Sequence, residues 1–119
     1  MKTHKDLIVW QKSIDFVTEV YKVTSDFPRE ETYGLTSQLR RAAVSVPSNI
    51  AEGAARKSDK EYVRFLFIAR ASAAEIETQL LIADNLGYRN KRDNQVNEDL
   101  LTISKMLTAL INKISERIK

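Results

Sequence analysis

The sequence predicts an all-α fold: one domain that forms an antiparallel, up-down-up-down bundle of four helices. The chain has 119 residues, which is the length of a single domain. Its three glycines and two prolines are too few turn formers for an all-β protein of this size. In four segments the apolar residues recur at alternating intervals of three and four, which is the spacing of one helical face. The content of 43% hydrophobic and 29% charged residues is typical of a soluble globular domain rather than a disordered chain.

The first helix is predicted over residues 7–25. Its first apolar face consists of Trp10, Ile14, Val17, Tyr21 and Thr24. A second apolar row consists of Val9, Phe16, Val20, Val23 and Phe27. Pro28 follows Phe27, and a residue that precedes proline avoids the helical conformation, so this pair should end the segment.

The second helix is predicted over residues 30–56, with Pro47 near its middle. Its core row is Leu35, Leu39, Ala42, Val46, Ile50 and Gly53. Pro47 has no N–H to donate to the carbonyl of Ala43, so the helix should bend there. A helix that ends at Val46 is the alternative. The apolar spacing keeps its phase across the proline, which favours a continuous, bent helix.

The third helix is predicted over residues 59–86, introduced by a capping box in which Ser58 and Glu61 each accept the other's backbone N–H. Its core row is Leu66, Ala69, Ala73, Ile76, Leu80 and Ala83. Gly87 is placed to end this helix. The fourth helix is predicted over residues 94–117, with the row Leu100, Ile103, Leu107, Leu110, Ile114 and Arg117 or Ile118. Short connections between helices of similar length predict antiparallel neighbours.

The sequence contains few residues that could support catalysis. The absence of Cys excludes disulfides, thiolate metal sites and Cys nucleophiles. The single His, His4, lies in a predicted N-terminal tail. It cannot supply the two Glu-x-x-His motifs of a di-iron bundle, and it is poorly placed as the base of a catalytic triad. We therefore expect no catalytic, cofactor-binding or metal-binding residues and no enzymatic activity.

No apolar run approaches the ~20 residues of a membrane-spanning helix. The N-terminus is charged and lacks the apolar stretch of a secretory signal. The lack of Cys suits a reducing compartment. We therefore expect a cytoplasmic protein that does not bind membranes.

The formal net charge is +3, and the positive charge is concentrated in the second predicted helix and in the loop before the fourth. The candidate nucleic-acid contacts are Arg40, Arg41, Arg56, Lys57, Arg89, Lys91 and Arg92. The alternative is that they form an ordinary solvated surface. Arg40 and Arg41 flank the core row on opposite sides, so one subunit should not gather them into a compact patch. A ring of subunits would repeat each of them and create a field that binds phosphate backbones without sequence preference.

Aromatic residues that could stack on bases are few. Tyr33, Tyr62 and Tyr88 are the candidates, and Tyr33 and Tyr62 are predicted to be packing residues instead.

A polar row follows one flank of the second helix: Arg41, Ser45, Ser48, Glu52 and Arg56. Glu52 and Arg56 are one turn apart in the order that favours an ion pair. Together with Pro47 and Gly53, Asn49 and Glu52 form a polar motif with two interpretations. Asn49 and Glu52 satisfy the hydrogen-bonding groups of the bent helix and its neighbour, or the row is a polar binding groove.

Surplus apolar and small residues predict self-association through the first three helices. The surplus apolar residues are Val9, Phe16 and Val20 of the first helix, and Val63, Phe67 and Leu81 of the third. The small residues of the second helix are Thr36, Ala43, Pro47, Ala51 and Ala54. Close packing within a single bundle is the alternative explanation.

Residues 33–53, which end in Asn49-Ile50-Ala51-Glu52-Gly53, closely resemble the signature of the bacterial four-helix-bundle protein family. That family includes proteins encoded by intervening sequences in large-subunit ribosomal RNA genes. Trp10-Gln11-Lys12 and the segments 64–69, 75–80 and 86–88 match as well. One departure is Ala71, where the family pattern has glycine.

The resemblance implies a four-helix bundle that assembles as a homopentamer. The chain is also similar to the accessory proteins of diversity-generating retroelements, which are basic pentameric bundles that bind nucleic acid and a reverse transcriptase. The implied partners are copies of the chain itself, RNA or DNA, and a reverse transcriptase or another protein. Two hypotheses follow: a non-enzymatic oligomer that binds RNA or DNA, and an oligomeric protein-interaction scaffold that binds no nucleic acid.

Overall fold

The computed structural model describes residues 3–89 and 94–118, and that part of the chain contains helices and no strands. The four long helices are α1 (Ile8–Thr24), α2 (Leu35–Ala54), α3 (Asp59–Asn85) and α4 (Gln95–Ser115). Short 3₁₀ turns span His4–Asp6 and Arg29–Glu31. Each helix packs on the next along the chain, and α4 packs back on α1, so the four close into a bundle. The predicted fold class is confirmed.

The contacts between neighbouring helices show that they run antiparallel. Three relationships join α2 to α3: Gly53 lies beside Tyr62, Ser45 bonds to Ser72, and Gln38 bonds to Gln79. Along these three contacts, the residue number on α2 decreases as the residue number on α3 increases, so the two helices run in opposite directions. The same holds for α3 and α4, where Asp59 pairs with Arg117 and Arg70 bonds to Thr108. The connection between α2 and α3 is only four residues long, which requires a hairpin.

The residues of α1 that face the core are mostly not those of the first apolar face predicted from the sequence. Its buried residues are Val9, Ser13, Phe16, Val20 and Thr24. Ile14 and Tyr21 are instead exposed. The interpretation of Val9, Phe16 and Val20 as surplus surface is therefore wrong, and so is that of Val63 on α3, which is also buried. The two apolar rows lie about 100° apart on the helix, and periodicity alone does not say which one faces the bundle axis.

Helix α2 is continuous from Leu35 to Ala54 through Pro47, as predicted. All six residues of its predicted core row are buried. Its start is five residues later than predicted. Glu31 caps the helix instead of beginning it, because its carboxylate Oε1 accepts the N–H of Leu35 at 3.0 Å.

The predicted core row of α3 is buried throughout. At its start, Ser58 Oγ accepts the N–H of Glu61 at 3.1 Å, which confirms that half of the capping box. The reciprocal bond from the Ser58 N–H to Glu61 is not formed, and the Glu61 carboxylate instead lies 3.5 Å from the guanidinium of Arg64.

Gly87 ends α3 in the left-handed conformation, with φ 75°. The N–H of Tyr88 donates to the carbonyl of Ala83 at 2.9 Å, and the N–H of Gly87 donates to Asp84 at 3.0 Å. This pair of bonds is the Schellman motif that glycine favours, and it confirms the predicted stop.

Helix α4 buries Val96, Leu100, Ile103, Leu107, Ile111 and Ile114. Leu110, predicted in the core, is only half-buried, and Ile111 occupies the core position. Arg117 and Ile118 lie beyond the end of the helix and are exposed. Two adjacent apolar residues, Leu110 and Ile111, both fit the spacing, so the pattern could not choose between them.

Gly53 marks a close approach of α2 to α3. A Cβ at this position would lie 2.8 Å from Phe65 Cβ and 3.1 Å from the carbonyl oxygen of Tyr62. Any larger residue would therefore force the two helices apart. Over residues 3–89 and 94–118, none of the helices combines the length and apolar character needed to cross a bilayer.

Candidate nucleic-acid interface

Arg40 joins α2 to the end of α1. Its Nε donates to Thr24 Oγ1 at 2.8 Å, and its Nη2 donates to the carbonyl of Tyr21 at 3.2 Å. The guanidinium carbon lies 4.5 Å from the centre of the Tyr21 ring. A cation at the C-terminus of a helix also interacts favourably with the helix dipole. Part of the hydrogen-bonding capacity of Arg40 is thus used within the fold.

Arg41 is exposed beside Arg40, and both side chains line one surface hollow of about 460 Å³. We call it the tyrosine hollow. Its lining residues are Tyr21, Thr32, Tyr33, Thr36, Ser37, Arg40, Arg41 and Val44. The expectation that Arg40 and Arg41 cannot share a patch on one subunit is therefore wrong. Adjacent helical residues point about 100° apart, and two long side chains span that angle across a single hollow.

Tyr33 lies between the second 3₁₀ turn and α2, and this residue is 97% exposed. Its interpretation as a packing residue is wrong, whereas Tyr62 is buried as predicted. Tyr33 lies outside the helix, so helical periodicity carried no information about it. Tyr88 is half-buried, packs on Phe27 with ring centroids 5.6 Å apart, and is not presented for stacking on a base.

Glu31 fixes the segment that carries Tyr33. Besides the bond from Leu35, its carboxylate Oε2 accepts the hydroxyl of Tyr88 at 2.9 Å. The Leu35 N–H, and then the Tyr88 hydroxyl, lower the pKa of Glu31 below its ordinary value of 4.5. The same hydrogen bond, followed by burial, raises the pKa of Tyr88 above 10.0.

Arg56 and Lys57 lie at the other end of α2, about 24 Å from Arg40 along the helix axis. Arg56 Nη2 lies 2.8 Å from Glu52 Oε1, which confirms the predicted ion pair. Its guanidinium carbon is 4.8 Å from the centre of the Phe65 ring. Lys57 is exposed. On one subunit, these two cations are separate from the tyrosine hollow.

Arg89 does not present its charge to solvent. Its Nε and Nη2 donate to Asp84 Oδ1 and Oδ2, each at 2.8 Å, and its side chain is 5% exposed. A bidentate pair of this kind fixes the guanidinium in place. Arg89 is therefore withdrawn from the candidate contacts. Lys91 and Arg92 lie outside the described residues.

The polar motif of α2 is held within the bundle. Asn49 Nδ2 donates to both the carbonyl and the Oγ of Ser45, each at 2.8 Å. Ser45 Oγ lies 2.9 Å from Ser72 Oγ on α3. Asn49 thus serves Ser45 rather than the Ala43 carbonyl that Pro47 leaves without a helical donor. These bonds support the structural interpretation over a binding groove for Asn49.

Sequence reasoning missed an acidic hollow of about 180 Å³ between α1 and α4. Its polar lining residues are Lys12, Asp15, Glu19, Asp99 and Thr102. The i,i+4 spacing of Asp15 and Glu19 was a usable signal. Across residues 3–89 and 94–118, no group of three or more His, Asp or Glu side chains is arranged to hold a metal ion.

The sequence predicted that His4 lies in an N-terminal tail, and this prediction is wrong. His4 lies in the first 3₁₀ turn, and its ring meets Trp10 edge-on with a centroid distance of 5.0 Å.

Comparison with known proteins agrees with this architecture. The profile of the 23S rRNA-intervening sequence protein family matches residues 5–109. A solved structure from Bacteroides thetaiotaomicron, described as a protein with unknown function from the S23 ribosomal protein family, superposes with a TM-score of 0.79. It is 25% identical, and the alignment covers 88% of this chain and 96% of that one. No curated protein matches the chain significantly. Neither description names an enzymatic activity, and the profile match over most of the chain shows that it belongs to the 23S rRNA-intervening sequence protein family.

Proposed function

We propose that this protein is a non-enzymatic, ring-forming helical bundle, a homopentamer, that binds RNA or DNA through positively charged positions repeated around the ring. The tyrosine hollow carries the proposal. Two arginines and two tyrosines line it, and none of its lining residues is acidic. Arginine guanidinium groups bind phosphate oxygens well, and a surface region of uniformly positive charge attracts a polyanion. Such a partner would place the protein in the bacterial cytoplasm.

Two separate apolar surfaces support self-association. One is a hollow of about 440 Å³ between α1 and α2, lined by Trp10, Ile14, Val17, Val44, Pro47 and Ala51 among others. The other is a row on the side of α3 away from the core: Phe67, Ala71, Ala74, Thr78 and Leu81. Phe67 is 46% exposed and Leu81 60%. Two different surfaces on one chain permit a heterologous contact, which closes into a ring when the rotation allows it.

A ring would strengthen the attraction for phosphate. Each chain carries a formal charge of +3, and a ring repeats both that charge and the exposed Arg41 in every subunit. Several modest sites that act on one strand bind far more tightly than one site alone. The phosphate contacts make binding strongly dependent on salt and indifferent to sequence.

The experiment measures binding of labelled oligonucleotides by fluorescence anisotropy across a salt series, with the assembly mass measured by light scattering. Arg41→Glu should weaken binding and reduce the slope of log affinity against log salt by about 0.7–0.9 for each lost contact. Lys105→Glu, an identical charge change at an exposed position on α4, is the matched control. No binding at low salt, or equal losses for the two variants, would refute the proposed interface.

A protein-interaction scaffold is the second candidate, because the exposed apolar surfaces of α1–α2 and α3 can also receive another protein. A reverse transcriptase is the partner class that the family resemblance implies. Affinity capture from the native host with and without nuclease separates the candidates. A partner retained after nuclease treatment supports the scaffold, and one that is lost supports binding through nucleic acid.

A further inference from the structure

We propose that the tyrosine hollow binds an unpaired base of a single strand, with the base stacked on Tyr33 and the adjoining phosphate bound by Arg41. This inference rests on the proposed nucleic-acid binding. It adds that the preferred ligand is single-stranded and that Tyr33 contributes affinity that the phosphate contacts do not.

The exposure of Tyr33 is the first argument. The residue is 97% exposed, although an aromatic ring normally contributes its large apolar area to packing. The segment that carries it is fixed on both sides, because Glu31 accepts hydrogen bonds from Leu35 and from Tyr88. An anchored segment loses little backbone freedom when a base stacks on the ring that it carries.

The division of roles within the hollow is the second argument. Arg40 already lies over the ring of Tyr21 and donates a hydrogen bond to Thr24. Arg40 and Tyr21 therefore form a fixed wall of the hollow. Tyr33 and Arg41 remain exposed. Within the part of the chain that the structure describes, no hydrogen bond or ion pair occupies the Arg41 guanidinium.

The chemistry of the lining is the third argument. Thr32 and Ser37 contribute hydroxyl groups, and Arg41 contributes a positive charge to the hollow that Tyr33 also lines. This combination of a stacking ring and a phosphate-binding cation is how proteins hold single strands without reading their sequence. A volume of about 460 Å³ falls in the range of small-ligand sites.

The strand must be single because bases in a duplex already stack on each other. Stacking a duplex base on Tyr33 would first require that base to be turned out of the helix, at a cost of a few kcal/mol. A duplex should therefore gain only the phosphate contacts.

The test uses the full-length protein and three ligands of equal length: an oligothymidine, a strand of abasic sites with the same phosphates, and a duplex. The wild-type protein should bind oligothymidine more tightly than the abasic strand at the same salt concentration. Tyr33→Ala should weaken binding of oligothymidine by at least about five-fold, the low end of the loss expected when a stacking ring is removed. Its binding of the abasic strand and the duplex should stay the same. Tyr33→Phe keeps the ring and should bind as the wild type does.

The outcomes separate this inference from the proposed function. Failure of the wild type to bind any ligand at low salt overturns both. Equal affinity for oligothymidine and the abasic strand, unchanged in Tyr33→Ala, overturns the stacking site and leaves the phosphate interface in place. A lower assembly mass for Tyr33→Ala would show that a second copy of the chain covers Tyr33, which also overturns the inference.

Discussion

The hydroxyl of Tyr88 donates to Glu31 Oε2 at 2.9 Å, which joins the segment after α3 to the turn before α2. The other oxygen of that carboxylate accepts the first N–H of α2, that of Leu35. One side chain therefore caps a helix and connects two distant parts of the chain. It also anchors the segment on which Tyr33 stands.

This carboxylate should make stability depend on acid pH. The pKa of Glu31 is lower in the folded state than its ordinary value of 4.5, so its bonds stabilise the fold above that pH. The contribution should be lost as pH falls through the lowered pKa. Melting temperatures measured from pH 7 to pH 3 should fall less steeply for Glu31→Gln than for the wild type. Glu30→Gln, at the exposed neighbouring position, is the control, and an equal effect of both changes would contradict the assignment.

The pairing of Arg89 with Asp84 predicts a loss of stability rather than of binding. Arg89→Ala should lower the free energy of unfolding by about 2 kcal/mol, between the cost of losing an exposed pair and that of losing a fully buried one. Arg64→Ala removes an exposed pair with Glu61 and should cost less than about 1 kcal/mol. Urea denaturation gives both values. A drop in nucleic-acid affinity for folded Arg89→Ala would restore Arg89 as a contact.

Asn49 distinguishes the two interpretations of the polar row. Its bonds to Ser45 predict that Asn49→Ala lowers the free energy of unfolding by about 1 kcal/mol, a typical net value for lost hydrogen bonds. Ligand affinity should stay the same. Ser48→Ala, at the adjacent and exposed position in the polar row, should change neither quantity. If Asn49→Ala unfolds like the wild type but binds more weakly, the groove interpretation is correct.

The outer row of α3 predicts which charge changes break the assembly. Leu81→Glu places a carboxylate in an apolar contact between subunits, and the mass measured by light scattering should fall toward that of one chain. Leu101→Glu is the matched control, because Leu101 is a similarly exposed leucine on α4, outside both apolar surfaces. Equal masses for the two variants and the wild type would exclude the α3 row from the interface.

The sequence was informative wherever one periodic row dominated. All the residues predicted for the core rows of α2 and α3 are buried. On α1, two apolar rows competed, and on α4 Leu110 competed with Ile111. Periodicity measures which residues share a face, but the choice of the inward face depends on the packing of the other helices.

The site was less predictable than the fold. Charge counting found Arg41 correctly as an exposed cation, yet it gave the same weight to Arg89, whose partner Asp84 is five residues earlier in the sequence. A residue's charge is visible in the sequence, and its burial is not. Tyr33 was misjudged for a related reason: its exposure is set by the turn that Glu31 holds in place, a tertiary contact with no periodic signal.

The tight fit at Gly53 has a mechanical consequence. Together with the bonds from Ser45 to Ser72 and from Gln38 to Gln79, it fastens α2 to α3 at three levels, so the two helices should behave as one stiff hairpin. The angle between Arg41 on one helix and the outer row of the other is then fixed in every chain. Chains that assemble through that row would space their arginines at a regular interval, and a bound strand would have to adapt to the protein.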